Sequence, residues 1–180
     1  LRCLVGSEMC IRDSYNIALE YNQKALIIYQ KILPANHNNL AIIYNNLGNI
    51  CSRLTNYKTA LKWQKKCLKI WKINLHKNHN NLAAIYNNLA STYQSLMKFE
   101  KALIYQRKSL DIYQKNLPID YKKIALSYNN IGNIYANLTS YQKALEYQKK
   151  SLTIYQNILP NNHSNLAVSY THLTLPTNGC

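Results

Sequence analysis

Tyr15, Tyr57, Phe99 and Tyr141 stand 42 residues apart, and their neighbours recur with them. A fixed period of this size constrains the chain more than composition does, because each copy is one supersecondary unit that buries its apolar face only against its neighbours. The 180 residues therefore bound the number of units rather than the number of cores. With only 4 Gly and 4 Pro there are few places for tight turns, which favours long helices over strands. Every apolar run falls short of the ~18 residues of a membrane-crossing helix, and no stretch has secretory layout. The expected location is the cytoplasm.

One unit serves for all. From Asn39 onward, Leu40, Ile43, Tyr44, Leu47, Ile50, Cys51 and Leu54 are spaced three or four apart, one face of an α-helix, called helix A. Thr55-Asn56 interrupts the pattern, and Asn56, like Ser140 in the same slot, is the expected N-cap of the next helix. Helix B turns Tyr57, Ala60, Leu61, Cys67, Leu68 and Trp71 inward, while Lys58, Lys62, Lys65, Lys66, Lys69 and Lys72 need solvent. Leu33-Pro34, Leu117-Pro118 and Leu159-Pro160 mark where helix B stops. Ala18, Ala60, Ala102 and Ala144 share one slot, and Gly48, Ala90 and Gly132 another. Nothing larger than a methyl is used at either, so helices A and B are expected to touch there.

The run Tyr44-Asn45-Asn46-Leu47-Gly48, followed by Cys51, Leu54, Tyr57, Ala60-Leu61 and Cys67-Leu68, resembles the tetratricopeptide pattern. The 42-residue period, the Leu-Ala-x-x-Tyr-Asn-Asn-Leu core and the Leu-Pro-x-x-His link (Leu33-Pro34 with His37, Leu159-Pro160 with His163) are similar to the repeats of kinesin light chain and its relatives. The resemblance covers residues 15–167. It implies an all-α fold, a right-handed α-solenoid of antiparallel helix pairs with about three and a half repeats. It also implies that helix A lines a concave groove for an extended peptide and helix B forms the convex back.

The residues support that division. Asn46, Asn49 and Arg53 sit at i, i+3 and i+7 of one helix A; Asn88, Ser91 and Ser95, then Asn130, Asn133 and Asn137, follow the same line. With the adjoining Asn45, Asn87 and Asn129 they form the candidate peptide-binding groove. An amide offers donors and an acceptor, so a ladder of Asn suits a peptide main chain whatever its side chains. The alternative is that Asn46, Asn88 and Asn130 bond only to neighbouring repeats and fix their stacking; the two roles are compatible. Arg53 is the one cation on the line, too few for a clamp on a C-terminal carboxylate or for the acidic, Trp-containing peptides that some family members capture.

Residues 1–14 and 168–180 depart from the repeat. One short DNA element read in opposite orientations can encode both Glu8–Ser14 and Val168–Leu173, and both ends resemble translated sequencing-adapter sequence. They are expected to be non-native, leaving 15–167 as the array, in units 15–56, 57–98 and 99–140 with 141–167 partial, an internal piece of a longer array. The two ends carry two basic and two acidic residues, so the formal charge of +15 belongs to the repeats.

No constellation for catalysis is legible. Glu20, Glu100, Asp111, Asp120 and Glu146 are scattered over different repeats. His37, His79 and His163 are related by the period and mark one loop position, which reads as a capping or loop-packing slot. Cys51 and Cys67 fall where other repeats carry Tyr93 and Tyr135, or Ala25, Ser109 and Ser151, so they read as packing residues of a reducing compartment. Neither a Gly-rich phosphate loop nor zinc-type Cys spacing occurs within 15–167. No enzyme activity, cofactor or metal is therefore expected. The leading expectation is a protein-interaction scaffold. Two alternatives remain: an RNA-binding helical repeat using the Lys-rich surface, and the regulatory arm of a larger enzyme. A groove line of recurring Asn without aromatics argues against base reading there.

Overall fold

The structure is a computed structural model that describes residues 2–77 and 79–158, with side chains from residue 11. Seven helices are found among them: α1 (Arg2–Ile32), α2 (Asn38–Arg53), α3 (Tyr57–Asn74), α4 (Asn80–Ser95), α5 (Phe99–Lys115), α6 (Tyr121–Asn137) and α7 (Tyr141–Ile158). No strand occurs among the described residues. The fold is all-α, as the periodicity requires, with α2–α3, α4–α5 and α6–α7 as successive pairs. α1 runs unbroken through Ser14, so the expected boundary at residue 14 is not marked by a helix end; the segment before it contains no proline to stop a helix. The tail 168–180 and the end of the fourth unit, 159–167, lie outside the described residues, as do Pro160 and His163.

The chain divides into two compact units, residues 1–77 and 78–180. In the first, α2 packs on both α1 and α3. Its core is built from Leu40, Ala41, Ile43 and Leu47 of α2 with Ala60, Cys67, Ile70 and Trp71 of α3, and Leu26 of α1 is buried too. In the second, α4 packs on α5, α5 on α6 and α6 on α7. Leu82, Ile85, Leu89, Ala102, Ile112, Ile124, Ile131 and Ile134 are buried in it.

The small-residue slots are where the paired helices meet. A Cβ added to Gly48 would lie 2.7 Å from Gln64 Cγ and 3.5 Å from the Ala60 carbonyl oxygen. At Gly132 the same construction meets Gln148 Cγ at 2.9 Å and the Ala144 oxygen at 3.2 Å. Helix A thus lies almost directly on the backbone of helix B.

Each A-to-B link is a turn that closes the helix on itself. The Asn56 N–H donates to the Cys51 oxygen (2.8 Å), Lys98 to Tyr93 (2.9 Å) and Ser140 to Tyr135 (2.9 Å). The residue before each donor has positive φ: Thr55 at 60°, Met97 at 56° and Thr139 at 58°. Asn56 then caps α3, its Oδ1 accepting from Thr59 N.

The opposite links are held by amides and histidines. His37 Nδ1 accepts from Asn39 N and His79 Nδ1 from Asn81 N, each at 3.1 Å, which makes the recurring histidine an N-cap of helix A. Asp120 does the same for α6, accepting from Lys123 N at 3.1 Å. In the first unit Asn74 Nδ2 reaches back to the Asn36 oxygen (2.6 Å) and Asn38 Oδ1 (3.0 Å); in the second, Asn116 Nδ2 reaches Asn80 Oδ1 (2.7 Å).

Candidate functional site

Asparagine seldom favours a helix interior, because its short amide competes for backbone groups. Here it recurs on α2, α4 and α6, and the surroundings differ from rung to rung. In the first unit Asn46, Asn49 and Arg53 are exposed along one face of α2, and Asn45 beside them is half-buried. Arg53 closes α2 in its last turn, where the free carbonyls favour a cation.

In the second unit the rungs are tied together. Asn130 Nδ2 on α6 donates to Asn87 Oδ1 on α4 at 3.2 Å, a side-chain bond between two helices that are not neighbours in sequence. Asn88, Asn129, Asn130 and Asn133 are half-buried, while Ser91, Ser95 and Asn137 are exposed. Asn129 Oδ1 is buried without a hydrogen-bond partner. Asn137 Nδ2 turns back to the Asn133 carbonyl in its own helix (2.9 Å), so this amide serves the end of α6 first. Thr92 Oγ1 bonds the Asn88 carbonyl (2.9 Å).

Beneath this face lies a row that sequence reasoning missed. Gln64, Gln106 and Gln148 occupy one slot of helix B, 42 residues apart, and are buried to 1%, 1% and 7% exposure. Gln148 Nε2 donates to Asn133 Oδ1 at 3.4 Å, joining the buried row to a rung. Gln64 Oε1 and Gln106 Nε2 have no partner. The signal was present as three identical residues at the period, but a glutamine among lysines carries no mark of burial in its residue type.

Cys51 and Cys67 are free and buried, and burial pushes both thiols up, away from the thiolate form needed for nucleophilic attack or metal binding. Among the described residues no three His, Cys, Asp or Glu come together to hold a metal ion. Among them too, no helix is long and apolar enough to cross a membrane.

Residues 4–73 and 43–115 match one family model described as Tetratricopeptide repeat, and residues 124–165 match a second with the same description. No curated protein matches the chain. Among solved structures the chain is similar to a Podosopora anserina protein described as a kinesin light chain with nearly identical TPR-like repeats. The two share 18% identity over 96% of this chain and 83% of that one, with a TM-score of 0.78. BtubC (BKLC) of P. vanneervenii is 25% identical over 89% of this chain and 64% of its own, TM-score 0.78. The apo form of RapI is 19% identical over 94% of this chain and 59% of its own, TM-score 0.77. The chain therefore spans less than two thirds of BtubC and of RapI.

Proposed function

Because the chain belongs to the tetratricopeptide repeat family, we propose that it is a protein-interaction scaffold of the cytoplasm. Its ligand is an extended peptide held by the asparagine face of helix A. The observation that carries this reading is the Asn130–Asn87 bond. It uses one of the two N–H groups of Asn130 and one lone pair of Asn87, leaving a donor on Asn87 and an acceptor on Asn130. A peptide main chain needs one of each per residue, and amides on neighbouring helices supply them at a fixed separation. Asn133, steadied by Gln148, extends the same face. On α2, Asn46 and Asn49 repeat the chemistry.

Stacking alone would also use the Asn130–Asn87 bond, and one experiment separates the two roles. Fluorescence anisotropy is measured with a mixed pool of extended peptides, for the parent and for Asn87→Ala with Asn130→Ala, alongside urea unfolding. The scaffold reading expects at least a ~tenfold loss of affinity, the size of one or two ligand hydrogen bonds, with a small change in unfolding midpoint. A variant that loses stability yet binds peptide as tightly per folded molecule would assign these residues to stacking.

A further inference from the structure

Charge is distributed unevenly along this chain. From Tyr21 to Phe99 there is no aspartate or glutamate. α3 lies inside that stretch and carries Lys58, Lys62, Lys65, Lys66, Lys69 and Lys72 with no acidic residue. Its sister helices are diluted. α5 sets Glu100 and Asp111 among Lys101, Arg107, Lys108 and Lys115, and α7 sets Glu146 among Lys143, Lys149 and Lys150. Ion pairs occupy Lys115 (Asp111, 2.8 Å) and Lys150 (Glu146, 2.6 Å); among the described residues none involves α3.

The lysines of α3 also form a line. Lys58, Lys62, Lys65, Lys69 and Lys72 follow at alternating steps of four and three residues, which on a helix is one stripe. At ~1.5 Å per residue the stripe is about 21 Å long, with a cation about every 5 Å. All five are exposed, as is Lys66 beside them. Like charges at such spacing repel, and among the described residues none of these lysines has an ion-pair partner.

To one side of this line, beyond Lys66, lies an aromatic pair. Trp63 of α3 stacks on Tyr44 of α2, with centroids 5.5 Å apart and planes at 17°. Lys66 Nζ stands 4.7 Å from the Trp63 centroid and 5.4 Å from that of Tyr44; Tyr44 is buried and backs Trp63, which is half-buried and carries the accessible ring beside the cation. Next to them an open hollow of about 370 Å³ is lined by Asn36, Tyr44, Lys66, Lys69, Ile70 and Ile73.

We infer that this side of α3 binds single-stranded nucleic acid, with the lysine line on the phosphates and the half-buried Trp63 ring and the neighbouring hollow receiving bases. A phosphodiester strand carries one charge at every nucleotide, so each cation of an evenly spaced line finds an anion. An acidic peptide would need carboxylates at matching steps and, in addition, an aromatic side chain placed to reach the ring, whereas a strand supplies both at every nucleotide. Lysine is a point charge that holds phosphate without a fixed orientation, and an aromatic face accepts any base. The binding is therefore independent of base sequence and separate from the asparagine face.

The test is anisotropy of the full chain against a fluorescein-labelled oligouridine of about twelve nucleotides over a series of KCl concentrations. Neutralising five phosphates predicts a slope of log K against log salt of about −3.5 for a single strand. Lys65→Glu with Lys69→Glu is expected to weaken binding more than ~tenfold and flatten the slope to about −2. The same reversal on α5, Lys101→Glu with Lys108→Glu, is expected to change affinity less than about twofold, and circular dichroism confirms that each variant is folded. Loss of affinity in Trp63→Ala, folded by circular dichroism, is expected if bases stack on this ring; unchanged affinity would remove the aromatic part of the inference. No binding at low salt, equal weakening by both reversals, or equal competition by a polyglutamate peptide of the same charge would each overturn the inference.

Discussion

At Gly48 and Ala60 two helices approach so closely that a single methyl group is the largest side chain either position holds. Ala60 has no exposed surface, and its carbonyl lies 3.5 Å from where a Gly48 Cβ would stand. Ala60→Leu is therefore expected to lower the unfolding free energy by about 1–3 kcal/mol, because the extra carbons have no void to enter. Gly48→Ala is different: in α4 the same slot holds Ala90, which is buried, so the repeat accommodates a methyl there. The closer contact with Gln64 is then offset by the ~1 kcal/mol gain in helix propensity, and the variant is expected within about 1 kcal/mol of the parent. Urea midpoints of both variants check the pair. The small residues were legible because they recur where size matters. The glutamines recur just as strictly, yet burial is decided by the face that helix A covers, and polarity concealed it.

Among the elements, the A-to-B turns hold a cost that the chain does not relieve with glycine. Thr55 and Thr139 are β-branched residues at φ near 60°, a conformation that costs ~1–2 kcal/mol for a side chain with a Cβ. Thr139→Gly should recover part of this and raise stability by up to about 1 kcal/mol, read as a higher urea midpoint. Nothing in the residue type announces such a turn. Thr55-Asn56 was legible as a break and Asn56 as a cap, whereas the left-handed residue follows only from the bond of Asn56 N to Cys51.

The B-to-A link before α6 is sensitive to acid. Asp120 caps Lys123 N and pairs with Lys123 Nζ at 2.9 Å, and the Lys123 hydrogen bond holds its carboxyl below the ordinary value. A depressed folded value means that the stabilisation is complete above the unfolded pKa and is lost as pH falls through the folded one. Asp120→Asn keeps the cap and removes the charge. Its unfolding free energy is expected to fall less steeply with acid than the parent's below pH ~4, as followed by urea unfolding at stepped pH.

For the whole molecule, the period at 42 residues made the helix count, the pairing and the close contacts readable, because every unit repeats the same solution. The asparagine rows were readable as positions. Their partners were not, since the Asn130–Asn87 bond depends on how α6 sits against α4, and the tie from Gln148 to Asn133 on a residue hidden beneath the face. The lysines of α3 were visible in the sequence, while the pairing that sets α5 and α7 apart from it was not. What unites the account is the claim that the asparagine face recognises main chain rather than side chains. The direct measurement is the affinity of one captured peptide against the same peptide N-methylated at alternate backbone amides, beside a version with its side chains shuffled. Methylation is expected to lower affinity at least ~tenfold by removing donors to the asparagine carbonyls, while shuffling changes it little. Affinity that survives methylation and collapses on shuffling would contradict it.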